Sequence, residues 1–587
     1  MLPHVAVGAA VSGLTVHAIC LPDSPKNYVI RSNMKISDAI GAVVASTLLP
    51  FGAGMADASP LPSDAQRHQE QQLDAVRRQA LSSTEVMTPE ADARGESLAL
   101  PHETPCVTIR AIEWRGAADF PWLSKQAPGV GQCAGTRGLM AIRSWVTSRL
   151  IARGYVTSLA AIPEQDYADG RVIVEVLPGR IGTIDDTPGG IGVTAGVFPG
   201  GRGALLNVRD LDQALESMRR LPGQAAATFE IAPGAALGDS DIRVGHPAGA
   251  RRVHAALTAD NGGQDATGRN QVGAIVAVDS PLGLYDQLLL TAGNDAYPRR
   301  ATRGSRSASA SWDVPLGYAS FSVAASEWAT RQAIPVADDT FSYTRRTRRI
   351  EAGIGYVPYR SGSARTRVAL KLARREDRAW FEGVELLVQK HAITSYTLSA
   401  SHLQRLPRAS VEAGVSLSGS LRGLSAYPGY VQDRDHWNGG YRIATANAAL
   451  DMPFAIGARR VDYRGSFIVQ HAPSPVPSTE FMQIGGRYTV RGFDGNETLA
   501  ARNGWVLRNE LSTRAVAGID AYAALDAGGV SGDASAAGRR TLAGCAFGLR
   551  GGYRRMSFDV ALGMPLLKPS TLHSTRPALD VQVVARF

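Results

Sequence analysis

The chain has 587 residues, with 62 Lys plus Arg against 53 Asp plus Glu, a formal charge of +9. At roughly 150 residues per domain, this length suggests about three or four domains. Hydrophobic residues make up 44%, which excludes disorder over the whole length, and beyond residue 60 no apolar run reaches the roughly 18 to 20 residues of a spanning helix. What remains is a soluble β-rich protein or an outer-membrane barrel, whose alternating strands escape a hydropathy scan.

The excess Arg is spread along the chain rather than gathered in one run, so nucleic-acid binding is not indicated. Cys20, Cys106, Cys133 and Cys545 form no C-x-x-C pair, which argues against a zinc site. Cys106 and Cys133 could close one disulfide in an oxidising compartment.

Residues 1–58 read as an upstream segment and a secretory signal peptide. Met34-Lys35-Ile36 gives a basic start, Ile40 to Leu49 an apolar core, and Gly54 to Ala58 small residues suited to cleavage near Ala56 or Ala58. The earlier apolar run Val5 to Leu21 competes as a signal core. Residues 59–103 hold a lone polar helix at 63–82, with Ser63 as cap and Leu73, Val76 and Ala80 on one face, then a flexible linker.

Residues 104–180 make a compact α/β unit. Val107 to Trp114 reads as a strand, Arg137 to Arg153 as a helix with the apolar face Leu139, Ile142, Val146 and Leu150, and Arg171 to Leu177 as a second strand. A Cys106–Cys133 bridge would staple the intervening loop to the sheet. The pattern returns in 181–248. There Asn207 is a helix cap with Asp210 three residues on, and Leu211, Ala214, Leu215 and Met218 form the buried face. Ala226 to Ile231 and Ser240 to Val244 supply strands. Two β-α-β-β modules in a row are a degenerate repeat.

From 249 to 587 the period becomes two. Ala308, Ala310, Trp312 and Val314 alternate with Ser307, Ser309, Ser311 and Asp313. Beyond a Pro315-Leu316-Gly317 turn, Ala319, Phe321, Val323 and Ala325 alternate with Tyr318, Ser320 and Ser322. The last strand sets Leu579, Val581, Val583, Ala585 and Phe587 against Asp580, Gln582 and Arg586. One apolar and one polar face suit lipid outside and water inside. Met452-Pro453 and Met564-Pro565 read as short turns. At about 21 residues per strand with its loop, the region holds about sixteen strands.

Gly485-Gly-Arg-Tyr-Thr-Val-Arg-Gly-Phe-Asp494, running on to Ala501 through Leu511, resembles the V-R-G-[YF] loop and following strand of the two-partner secretion transporters. These are the haemolysin activation/secretion proteins of the superfamily of outer-membrane barrels preceded by POTRA modules. Ala152 to Ser158, Leu211 to Pro222, Gly238 to Ile242, Asp260-Asn-Gly262 and Thr267-Gly-Arg269 match as well. The resemblance covers nearly everything from about residue 60 to Phe587.

It implies that the loop of Val490, Arg491, Gly492 and Phe493 folds into the lumen and that Arg491 meets an acid on the wall. Asp526 is the first candidate, on the face of Tyr522 and Ala524, although Tyr522 faces inward only near the rim. Glu510, sharing a face with Arg508 and Ser512, is the runner-up. The implied protein has two periplasmic POTRA domains, a plug-like helix at 63–82 and a membrane barrel. It would secrete an unfolded haemagglutinin- or haemolysin-type exoprotein, with or without activating a haemolysin. Its other partners would be outer-membrane lipid and, through the strand ending in Phe587, the barrel assembly machinery. No cofactor is implied, and no nucleotide-binding, G-x-S-x-G or H-E-x-x-H motif points to an enzyme. An assembly factor of the same superfamily is the alternative; it would be expected to carry more POTRA modules.

Overall fold

The computed structural model describes residues 8–11, 14–17, 86–89, 98–297, 302–336, 339–426, 437, 439–532 and 540–587. The signal expected at 34–58, the helix at 63–82 and most of the linker lie outside those residues. Far upstream, Gly8–Val11 pairs antiparallel with Leu14–His17, within the apolar run read as a rival signal core.

The first module is built on β1 (Ala111–Arg115), α1 (Thr136–Ala152), β2 (Leu159–Ala161) and β3 (Arg171–Leu177). Strand β3 is central, parallel to β1 and antiparallel to β2. Helix α1 turns Ile142, Val146 and Leu150 onto the sheet, where Val172, Val174 and Val176 meet them. Full burial of each such side chain contributes about 1.5–3 kcal/mol. The helix cap position is Gly135, which has no side chain, so Glu103 reaches in from the linker. Its carboxylate accepts from the N–H groups of Gly135 (2.8 Å), Arg137 (3.0 Å) and Gly138 (2.6 Å). These are donors that a helix start otherwise leaves open.

Residues 107–114, expected as one strand, divide. Val107–Thr108 pairs with Cys133–Ala134, whereas Ala111–Arg115 joins the main sheet. The chain changes partners in between: Ile109 N–H donates to Gln132 O, and Arg110 N–H to Gly170 O. Cys106 and Cys133 are joined in a disulfide beside that small ladder.

The second module repeats the topology with β4 (Arg180–Asp186), α2 (Val208–Arg219), β5 (Thr228–Pro233) and β6 (Asp239–Gly245). Strand β6 is central, parallel to β4 and antiparallel to β5. Asn207 caps α2 by accepting from Arg209 N–H at 2.9 Å. Asp210 does not complete a capping box. It accepts instead from the hydroxyl of Tyr318, a residue of the barrel, at 2.6 Å.

Among the described residues, sixteen antiparallel strands then close into a barrel. They begin with β7 (Val253–Asp260), β8 (Gln271–Asp279), β9 (Gln287–Asp295), β10 (Gly304–Leu316), β11 (Ala319–Val336) and β12 (Asp339–Arg360). They continue with β13 (Ala364–Phe381), β14 (His391–Leu406), β15 (Ala409–Ser420), β16 (Arg442–Ile456) and β17 (Arg459–His471). The last five are β18 (Asn503–Val516), β19 (Ile519–Ser531), β20 (Thr541–Tyr553), β21 (Met556–Leu567) and β22 (Ala578–Arg586). A two-residue strand, Val384–Glu385, only extends the loop after β13. Strands β7 and β22 meet over five residue pairs, from Ala256↔Arg586 to Asp260↔Gln582, and Phe587 N–H adds a bond to Ala255 O.

Alternation sorts the wall. Phe321, Val323, Ile350, Ile354, Leu370, Leu372 and Leu398 are exposed on the outer face, while Thr291 and Ser309 share a buried hydrogen bond of 2.7 Å on the inner one. The Pro315-Leu316-Gly317 turn lies two residues later than expected, because β10 runs through Leu316 and the bend falls at Gly317–Tyr318. Met452-Pro453 and Met564-Pro565 are not turns. Both sit inside strands, the first four residues from the end of β16 and the second where the β20–β21 ladder slips register. Proline forfeits one donor, which strand ends and bulges tolerate.

Desolvation would raise the Glu103 carboxyl, but the three N–H donors and the Arg137 charge outweigh it and hold it below the usual carboxylate range. Its stabilisation is therefore present above the unfolded pKa and lost as pH falls through the depressed folded value. Glu103→Gln is expected to lower the melting temperature of a fragment spanning the two modules at neutral pH. The gap from the parent should close below about pH 4; a gap that stays constant into acid would refute the capping role.

Candidate functional site

The segment between β17 and β18 does not stay at the far rim. Within it Met482–Ile484 pairs with Leu499–Ala501, and the intervening residues 485–498 turn back against the inner wall. Arg491 is 8% exposed there. Its Nε and Nη2 form a fork on Asp526, at 2.7 and 2.9 Å, while Nη1 donates to Glu510 Oε2 at 2.5 Å. Its backbone N–H also reaches Asp526, at 3.1 Å. Asp526 on β19 and Glu510 on β18 thus engage Arg491 together, where the sequence had set them as alternatives. A two-pronged guanidinium–carboxylate contact fixes orientation as well as position.

Both acids have further cationic neighbours. Arg508 stands 3.7 Å from Asp526, Arg464 is 3.5 Å from Glu510, and Arg550 pairs with Glu510. Tyr522 does face inward: its ring lies under Arg550 at 4.2 Å and its hydroxyl donates to Asp559 at 2.7 Å.

The loop backbone touches the wall directly. Gly492 has φ +103°, and a Cβ there would meet Met564 O at 2.5 Å. Across from it, a Cβ on Gly544 of β20 would fall 2.0 Å from Arg491 O, and one on Gly563 of β21 would fall 2.7 Å from Gly492 Cα. Val490 and Phe493 are fully buried, packed with Ile484, Val506, Val530, Leu542 and Leu572.

Sequence reasoning missed two parts of this arrangement. Gly544 and Gly563 carry no signal of their own, since a glycine on a barrel strand is ordinary until another backbone is laid on it. Arg487 was in the quoted motif without a role. It lies 3.9 Å from Asp260 on β7 and 3.5 Å from Asp580 on β22, the two strands that close the barrel. The polar face assigned to the last strand already contained Asp580 and could have pointed to it.

A second constellation joins the second module to the mouth of the barrel. Tyr285, from the turn between β8 and β9, is fully buried in the core of that module beside Leu211, Met218 and Val244. Val193 N–H donates to Gly283 O at 2.7 Å, and Gly223 N–H to Asp279 Oδ2 at 2.7 Å. Arg220 pairs with Asp313 and donates to Tyr285 O at 2.6 Å. Burial pushes the Arg220 guanidinium pKa down, against the attraction of Asp313, Asp279 and Asp286. On α2, Glu216 receives Arg360 at 2.9 Å and also Arg365. Burial raises the Asp210 carboxyl, and the Tyr318 hydrogen bond opposes it. Thr88, near the start of the linker, donates to Asp212 at 2.6 Å, so the chain leading in from the N-terminal side is tied to α2 as well.

Comparison with known proteins places this geometry. A family model described as haemolysin secretion/activation protein ShlB/FhaC/HecB matches residues 238–551, more than half of the chain. An ShlB-type POTRA domain matches 107–179, and a further POTRA domain matches 180–233. The outer membrane transporter CdiB-2 of Burkholderia pseudomallei (strain 1026b) is 29% identical over 565 residues, 91% of this chain and 95% of that protein. The hemolysin transporter protein ShlB of Serratia marcescens is 28% identical over 506 residues, 83% of this chain and 87% of that one. The structure of CdiB from Escherichia coli superposes with a TM-score of 0.79 at 27% identity, covering 91% of this chain and 100% of that chain. The chain belongs to the haemolysin secretion/activation family of ShlB, FhaC and HecB, and is an outer-membrane transporter with periplasmic POTRA modules that secretes a partner exoprotein.

Proposed function

We propose that the cargo is an unfolded exoprotein of the haemagglutinin or haemolysin type, taken up by the two modules and passed outward past a loop that Arg491 seats in the lumen. The observation that carries this reading is the Arg491 fork on Asp526 with its third arm on Glu510, inside a barrel whose mouth bears the second module. The relatives' names supply the cargo class, since one is a hemolysin transporter protein. The outer edges of β2 and β5 each pair with one neighbour, so an extended chain can add there as a strand. Beside α1 a groove lined by Val107, Ile109, Leu139, Tyr167 and Val172 offers sites for alternate side chains. In the same reading the terminal strand, ending in an exposed Phe587, is the handle for the barrel assembly machinery, and the Cys106–Cys133 bridge holds the first module through oxidising conditions.

Removing one partner of a buried ion pair typically costs about 3–5 kcal/mol. Arg508, Arg464 and Arg550 still face the two acids, so for Arg491→Ala we expect the low end, about 3 kcal/mol. The loop, still held by Val490 and Phe493, should lose its register and slide in a barrel that stays inserted. Extracellular exoprotein should fall at least about tenfold against the parent, a loss equivalent to about 1.4 kcal/mol. Unchanged secretion by this variant would refute the loop's role. Exoprotein outside even without this protein, together with a fall in other barrels, would favour the assembly-factor alternative.

Gly544→Val tests the seating without touching a charge. Its side chain enters the space of the Arg491 carbonyl, so trypsin should gain access to Arg487 and Arg491 in detergent-solubilised protein. A loop as resistant as in the parent would show that the wall contact is dispensable.

A further inference from the structure

The outer face of β11 to β13 changes character at one level. Nearest the modules it is apolar, with Phe321 and Val323 on β11, Ile354 and Ile350 on β12, and Leu370 and Leu372 on β13, all exposed. Farther out, the same alternation carries Glu327 and Arg331, then Arg348 and Arg346, then Arg374, Glu376 and Arg378, and neighbouring β10 adds Arg306. Ladder pairing aligns them in rows: Glu327, Arg348 and Glu376 in one, and Arg306, Ala329, Arg346 and Arg378 in the next. Six arginines against two glutamates leave this sector with a net charge of +4. On β15 to β18 the far half of the outer face carries a single arginine among the described residues, Arg442, so the cluster belongs to one arc of the wall.

Two features mark it as a site for an anion. Arg346 and Arg378 stand directly opposite each other on adjacent strands, a like-charge pairing that destabilises a sheet and that Glu327, 3.6 Å from Arg346, and Glu385, 4.0 Å from Arg378, offset only from the sides. The ion pairs that form are Arg348–Glu327 at 2.7 Å, Arg346–Glu327 at 3.6 Å, Arg374–Glu376 at 3.4 Å and Arg378–Glu385 at 4.0 Å, with arginine side chains 39% to 61% exposed. Such exposed pairs contribute little. An anion able to take several guanidiniums in forked contacts can displace them.

The level decides which anion. The arginines begin where the apolar belt ends, on the side of the barrel away from the modules, which is the headgroup level of the outer leaflet. We propose that this arc binds a phosphorylated glycolipid of that leaflet. Its phosphates lie on Arg346, Arg348, Arg374 and Arg378, and its acyl chains lie against Ile350, Ile354, Leu370 and Leu372. The proposal rests on the membrane-barrel fold and is independent of which cargo is secreted.

The test uses the full chain in detergent and native mass spectrometry, with a diphosphorylated lipid A as probe and phosphatidylcholine as the neutral comparison. The parent should retain lipid A in preference to phosphatidylcholine. The triple variant R346Q/R348Q/R378Q should retain at least about tenfold less lipid A. Heat-resistant migration on a gel reports that the barrel is folded. Should the glutamine set fail to fold, the corresponding Arg→Lys set, which keeps the charge and loses the fork, is expected to give intermediate retention. Equal lipid A retention by parent and variants would overturn the proposal, as would equal retention of phosphatidylcholine by the parent. A deacylated lipid A headgroup that competes as well as the intact lipid would overturn the part assigned to the apolar belt.

Discussion

Arg491 sits 8% exposed between Asp526 and Glu510, on the inner wall of the barrel. A buried ion pair is weak evidence for stability, because desolvating three charged groups consumes most of what their attraction returns. Apolar contact does the holding: Val490 and Phe493 are fully buried among Val506, Val530, Leu542 and Leu572. At about 1.5–3 kcal/mol for each large side chain, those two residues can anchor the loop alone. The fork on Asp526 adds register. A loop held only by Val490 and Phe493 could slide, whereas a guanidinium bonded on two strands has one position.

That register then dictates the surroundings. The Arg491 backbone must approach the wall closely enough for its own N–H to reach Asp526, so no side chain can intervene at Gly492, Gly544 or Gly563. With the loop fixed at β18 to β21, Arg487 comes to Asp260 and Asp580 across the closing strands. Those strands meet over five residue pairs, whereas β11 and β12 meet over eighteen. The loop therefore braces the wall where it is held by the fewest ladder bonds. The second module is fastened to a different arc, through Asp279 on β8, Tyr285 in the turn after it, Asp313 on β10 and Arg360 on β12. Strands β7 and β8 lie between the two attachments, with Asp260 facing Arg487 and Asp279 facing Gly223.

Much of this was legible in the sequence, and the reason is periodicity. Alternation assigns faces, so Ser309 inside and Val323 outside follow from parity alone, and helical spacing gave Ile142, Val146 and Leu150 their common stripe. The loop motif supplied Arg491 and both acids. Parity could not choose between Asp526 and Glu510, because both lie on the inner face and only the stagger of β18 against β19 sets one guanidinium within reach of each. Turns were misread where a residue type has two uses: Pro453 and Pro565 signal a bend in isolation but are tolerated near a strand end or a bulge. The cap of α1 was hidden as well, because Glu103 comes from 32 residues before Gly135 rather than from the helix's own start.

The same residue type follows opposite rules on the two faces of the wall. On the outer face of β10 to β13, arginines outnumber acids and meet them only in exposed pairs. Inside, each acid of the Arg491 site has a cation in reserve, Arg508 for Asp526 and both Arg550 and Arg464 for Glu510. If the loop withdrew, Asp526 and Glu510 would keep these neighbours while Arg491 regained water. No charge would be stranded in the wall, so release would cost less than breaking an isolated buried pair. A loop seated this way is firmly placed, yet its charges are arranged so that leaving the wall strands none of them.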